Sequence, residues 1–180
     1  MSQIQQFVFH LVPNQLHGNV LYPLNSLWKI APEIAENLAK KYAGRESIQK
    51  RYIPPLDCLW NDVLMFCPVP PDRLMQIFRD AGYDLEPKRW LKIAIARLEL
   101  QNTAIYFSKN RAYGDHSVDD SDFARLDQVD FASLTQVPDA LRAHIQSARS
   151  ENRQPFMFVG VPHVLYKGEL LLDEIEIVEF

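Results

Sequence analysis

The chain has 180 residues, 47% of them hydrophobic and 23% charged, and its 19 Lys and Arg against 23 Asp and Glu leave a formal net charge of −4. A chain of this length buries roughly 70% of its unfolded surface, so one globular domain over residues 1–180 needs no metal or disulfide staple, and wholesale disorder is excluded. The small negative charge gives no overall attraction to nucleic acid or anionic lipid, and the apolar runs 63–67, 156–161 and 170–172 are far shorter than the ~20 residues of a membrane span.

In chain order, Met1-Ser2-Gln3-Ile4-Gln5-Gln6 carries no basic stretch, and His10 and Pro13 interrupt the apolar run behind it, so no secretory signal is read. The expectation is a cytoplasmic protein whose Cys58 and Cys67, both in apolar surroundings, are reduced and structural. Residues 5–12 read as a strand containing His10 and closed by Pro13-Asn14. Pro32-Glu33 opens a helix that continues through Ile34, Leu38 and Tyr42 to a stop at Gly44. Between Arg45 and Pro55 the chain is basic and polar, and Ile53-Pro54-Pro55 reads as extended. In residues 59–69 the second half reads as a buried strand.

The pattern Leu74, Ile77, Phe78 and Ala81 predicts a helix from Pro71 to Ala81, ended by Gly82. Two strands follow, 90–100 with Ile93, Ile95 and Leu98 alternating against Lys92 and Arg97, and 103–107. Residues 114–122, with Asp115, Asp119, Asp120 and Asp122, read as an acidic surface loop; Gly114 precedes the acids, which is not the order of a calcium loop. An amphipathic helix over 138–150 and strands at 164–166 and 175–180 complete the chain. Short connections between strands point to an α+β fold with a mostly antiparallel sheet and flanking helices.

The chain has no Gly-rich phosphate loop, no Gly-x-Ser-x-Gly elbow and no His-Glu-x-x-His, and His10, His17, His116, His144 and His163 are far apart, so no metal site is expected. What remains are polar residues in apolar β-like settings. His10 must either satisfy both ring nitrogens locally or line a cleft. Asn61-Asp62, set between Leu59-Trp60 and Val63-Leu64, is a turn cap, a salt-bridge partner or part of a pocket. Arg45 and Arg51 are either solvated or able to clamp phosphate or carboxylate. His163 opens a strand, where functional groups are commonly displayed, and Tyr22 packs in the core or stacks on a base.

The order of these residues carries a resemblance. A His10-bearing strand is followed by Asn14 and a Gly-containing loop, a helix with Arg at its end, a Pro-rich turn into an aromatic strand, and a C-terminal Val-Leu-Tyr-Lys-Gly…Leu-Asp-Glu-Ile-Glu-Ile-Val run. This resembles the ADP-ribosyltransferase-like fold, and within it the DNA-targeting ADP-ribosyltransferase toxins. The chain is also similar to a bacterial family sharing the His-Leu-x-Pro, Leu-Trp-Asn-Asp-Val and Pro-His-x-Leu segments.

The resemblance implies NAD as the cofactor, His10 in the nicotinamide–ribose cleft with Asn14 nearby, and Arg51 or Arg45 on the pyrophosphate or the acceptor. Such enzymes carry a Glu at the head of the penultimate strand. Here that strand begins Pro162-His163-Val164-Leu165, so His163 takes the position, and Glu169 is the only carboxylate close by.

Three readings follow. In the first the protein binds NAD or a related nucleotide and transfers ADP-ribose, or does acid–base chemistry, with His10, His163 and Asp62 as the catalytic set and Asn14, Tyr22, Arg45, Arg51 and Asn61 on the cofactor. In the second the fold is kept for binding alone. A third has Arg45, Lys50, Arg51, Lys88, Arg89 and Arg97 forming a nucleic-acid patch.

Overall fold

The structure, a computed structural model, describes residues 5–107, 109 and 117–180. Strand β1 (Phe7–Leu11) ends where Pro13 and the polar residues after it stop the apolar run. A turn leads to β2 (Val20–Leu21) and then to two short helices, α1 (Leu24–Ile30) and α2 (Pro32–Ala39). Ala31, with φ −149° and ψ 70°, breaks the helical path between them, and Pro32 opens α2, where its missing N–H costs nothing. The helix expected to run on to Gly44 tightens into a 3₁₀ turn, Lys40–Tyr42, and Gly44 takes a φ of 74°.

Strands β3 (Tyr52–Ile53) and β4 (Cys58–Leu59) form a hairpin around a 3₁₀ turn at Pro54–Leu56. This corrects the extended reading of 53–55: Ile53 is extended, but Pro54 starts the turn. Strand β5 (Leu64–Phe66) and helix α3 (Pro71–Asp80) lie where the apolar patterns put them. Strand β6 (Arg89–Ala94) is shorter than expected, because Ile95–Arg97 turn into 3₁₀ geometry and bury Leu98 beyond the ladder.

Next come β7 (Thr103–Tyr106), β8 (Phe123–Arg125), α4 (Phe131–Leu134), α5 (Asp139–Ser150), β9 (His163–Tyr166), β10 (Leu170–Leu171) and β11 (Glu176–Glu179). Of the expected acidic surface loop, Gly114, Asp115 and His116 lie outside the described residues. Asp122 is not on the surface: it is fully buried, accepts the Asp119 N–H at 2.9 Å and pairs with Lys109 Nζ at 2.7 Å.

The fold mixes helix and sheet, and every named strand pair is antiparallel. One sheet has the order β1–β6–β11, the other β5–β9–β7–β8, and β10–β2 and β3–β4 are separate pairs. At the centre of the first sheet Lys92 faces Phe9 on one neighbour and Glu176 on the other. Its Nζ lies 2.8 Å from the Glu176 carboxylate and 4.6 Å from the Phe7 ring centroid.

Three apolar clusters fill the interior. Val8, Phe66, Ile105 and Val164 belong to one, Trp60, Tyr106 and Leu165 to a second, and Cys67, Phe78, Leu141 and Val161 to a third between α3 and α5. No helix among the described residues is long and apolar enough to cross a membrane.

Candidate functional site

Among the described residues, one backbone bridge joins the two sheets. Phe9 and Cys67 exchange both backbone hydrogen bonds, each 2.8 Å. Past that pair β1 stays with β6 and β5 stays with β9, so the two strands part. A cavity of about 400 Å³ fills the fork. Its walls come from the end of β1 and the loop to Tyr22, from α1 and α2, and from Trp60, Asn61, Val63, Leu64 and Met65.

His10 sits on the β1 wall. Its Nδ1 lies 2.6 Å from the Leu11 carbonyl, which can only accept, so Nδ1 carries the proton and Nε2 is left with a lone pair. Burial pushes the His10 pKa below its ordinary value; the Leu11 carbonyl counters this and the Lys41 ammonium adds to it. A neutral imidazole is therefore the resting form above the usual histidine range. Lys41 also lines the cavity, with its Nζ 5.0 Å from the Tyr42 ring centroid. Burial, and then the Arg45 charge, lower its pKa.

Asn61 is buried, with 5% of its surface exposed, and its Nδ2 donates to Gln49 Oε1 at 3.1 Å while its Oδ1 has no hydrogen-bond partner. Tyr22, Tyr42 and Trp60 give the cavity aromatic walls, and Asn14 stands at its exposed edge. The cavity thus collects His10, Asn14, Tyr22 and Asn61 of the residues singled out by sequence. Among the described lining residues none is Asp or Glu.

The other four lie elsewhere. Asp62 accepts the Leu59 N–H at 2.8 Å and Asn25 Nδ2 at 2.7 Å, which is the turn-cap alternative. Arg51 stacks its guanidinium 5.0 Å from the Trp60 ring centroid, and Arg45 donates to the Lys41 carbonyl at 2.6 Å. His163 pairs with Tyr106 in the four-stranded sheet and packs against Tyr106 and Phe158.

Strand alternation puts His163 on the face of Tyr106 and Leu165, while Val164 and Phe66 point to the other. His10 packs on Phe66, so the expected meeting of the two imidazoles in one hollow does not occur. Desolvation lowers the His163 pKa to about 4.

The residues of the proposed nucleic-acid patch are also dispersed: Arg97 is tied to the Leu171 and Asp173 carbonyls at 3.0 and 2.8 Å, and Lys88 and Arg89 lie at the head of β6.

Sequence reasoning missed Lys41, Tyr42, Trp60 and Gln49. Tyr42 and Trp60 look like ordinary core aromatics in a one-dimensional pattern, and Lys41 like a solvated helix end. A second depression of about 450 Å³, between α3 and α5, contains none of the predicted residues. No group of three or more His, Cys, Asp or Glu among the described residues is arranged to hold a metal ion. Scans against protein-family models, curated proteins and solved structures find no match to this chain.

Proposed function

We propose that the chain is a nucleotide-binding protein of the ADP-ribosyltransferase-like kind, with the fork between β1 and β5 taking the nicotinamide and ribose end of NAD or of a related nucleotide. The observation that carries this reading is the grouping of His10, Asn14, Tyr22 and Asn61, from separate segments, on one cavity. Its volume of about 400 Å³ falls within the range of small-ligand sites, and its mix of aromatic walls and few polar groups suits a ring with a sugar attached. In this reading Tyr22 and Trp60 flank the ring, His10 Nε2 accepts from a ribose hydroxyl, and Lys41 supplies positive charge toward the phosphates.

The lining also favours binding over transfer. Cleaving the glycosidic bond develops an oxocarbenium ion, which a carboxylate stabilises and an imidazole does not. The described lining offers none.

Titration calorimetry with NAD and ADP-ribose, alongside an assay for released nicotinamide, tests both parts. Expected are saturable binding to the parent, at least tenfold weaker binding by Tyr22→Ala, and no nicotinamide release. Absence of heat and of any melting shift at millimolar ligand would overturn the binding site, and nicotinamide release by the parent would overturn the non-catalytic reading.

A further inference from the structure

The depression between α3 and α5 gathers two arginines whose donors the protein does not use. Arg142, Gln146 and Arg149 line it from one face of α5. Among the described residues Arg45, Arg73, Arg97, Arg125 and Arg153 each give an N–H to a protein oxygen. Arg142 and Arg149 give none, and neither forms an ion pair with a described carboxylate. Asp80, the carboxylate in the described lining, stands on the α3 side and accepts from Gln76 Nε2 at 2.6 Å.

Arg149 is also held in place. Its guanidinium lies 5.3 Å from the Tyr83 ring centroid, and the Tyr83 hydroxyl is anchored by donating to the Arg153 carbonyl at 3.1 Å. Gly82 permits the close approach, since a Cβ there would stand 3.4 Å from Arg149 Nη2. Stacking covers a face of the planar fork and leaves its N–H edge for an oxyanion, with little freedom left to lose on binding. Seven residues separate Arg142 from Arg149, two turns and about 10.5 Å along the helix axis. Between α3 and α5 the lining is apolar, with Ile77 and Ile145 both buried.

We propose that this depression binds a small molecule with two anionic groups, phosphate or carboxylate, joined by an apolar spacer that lets them reach both arginines. Each guanidinium takes one oxyanion, the spacer lies over Ile77 and Ile145, and the charge of Asp80 keeps the anions on the α5 side. The site shares no residue with the fork between β1 and β5, so it stands apart from the nucleotide reading.

The test uses the full chain and two matched pairs, suberate against octanoate and hexane-1,6-diyl bisphosphate against hexyl phosphate. Within each pair the carbon chain is constant and the second anion is what changes. Calorimetry gives the affinities, and the arginine Nε–H resonances in NMR place the ligand. In at least one pair the dianion is expected to bind about tenfold tighter or more than the monoanion and to shift the Arg142 and Arg149 resonances. The pair that does so identifies phosphate or carboxylate as the group taken.

Arg142→Gln and Arg149→Gln, both at exposed positions, are expected to fold as the parent does and to bring that ratio within about threefold. Arg149→Lys keeps the charge without the fork and is expected to fall between the parent and Arg149→Gln. Failure of both dianions to bind at millimolar concentration, equal affinities within both pairs, or ratios unchanged in the two glutamine variants would overturn the proposal. Each of these outcomes leaves the nucleotide cavity, which Tyr22→Ala tests separately, as it was.

Discussion

The His10 ring stands edge-on to Phe66, their centroids 5.8 Å apart at 67°, so the aromatic that backs a residue of the cavity wall also belongs to the apolar interior against the four-stranded sheet. Phe66 is fully buried, and Phe66→Ala is expected to cost about 3 to 5 kcal/mol in urea unfolding. The gentler Phe66→Leu leaves space behind the His10 ring. Because burial is what depresses the His10 pKa, the imidazole titration in this variant moves upward toward 6.5, followed by NMR of the ring protons.

His163 makes stability depend on pH in a definite direction. Its folded pKa, about 4, lies below the unfolded value of 6.5, so between the two the unfolded chain binds the extra proton. The stabilisation is complete above pH 6.5 and disappears as pH falls toward 4, a loss on the order of 3 kcal/mol. Denaturant titrations of the parent and of His163→Leu at pH 7, 5.5 and 4.5 check this. The parent's slope through that window is expected to be the steeper, and parallel curves would contradict the assignment.

Both thiols are buried and unbridged, and desolvation pushes Cys58 up to about 11 and Cys67 to about 12. Thiolate is the reactive species. At pH 8 the native protein is expected to resist iodoacetamide, and the urea-unfolded protein to take up two labels, as mass spectrometry would read. Fast labelling of the folded chain at either position would show that the wall around it opens.

Asp62 holds the turn before β5 through the Leu59 N–H and the Asn25 amide. Asp62→Ala is expected to lower stability by about 1 to 2 kcal/mol and to leave nucleotide affinity within about twofold, measured well below its melting temperature. A collapse of affinity out of proportion to stability would instead place Asp62 at the ligand.

Much of this architecture was legible where one periodicity ran for several residues. Leu74, Ile77 and Phe78 gave α3, Leu141 and Ile145 gave α5, and the runs at 64–66, 103–106 and 164–166 gave three of the four strands of the larger sheet. Helix α1 escaped because seven residues are too few to establish a repeat, and β8 because Phe123–Arg125 is only three residues long. The strand through Ile95 was overextended because alternation continues past the point where the backbone turns.

At the site, His10 and Asn61 were conspicuous as polar residues amid apolar neighbours. That same signal marked Asp62 and His163, whose needs are met, or left unmet, away from the cavity. A pattern along the chain registers that a polar group is enclosed. Which enclosure it faces depends on strand register, and His163 and Val164 differ by one residue and by an entire face.

The placement of Lys92 between Phe9 and Glu176 has a kinetic consequence. Strand β6 draws both neighbours from more than 80 residues away, one from each direction along the chain. Closing loops of that size costs entropy before any ladder bond is gained, and domains dominated by such distant pairings fold in milliseconds to seconds. Assembly of this sheet is thus expected to be the slow event in folding, later than the sequence-local β3–β4 hairpin, and the fork that it borders takes shape only when β1 has found β6.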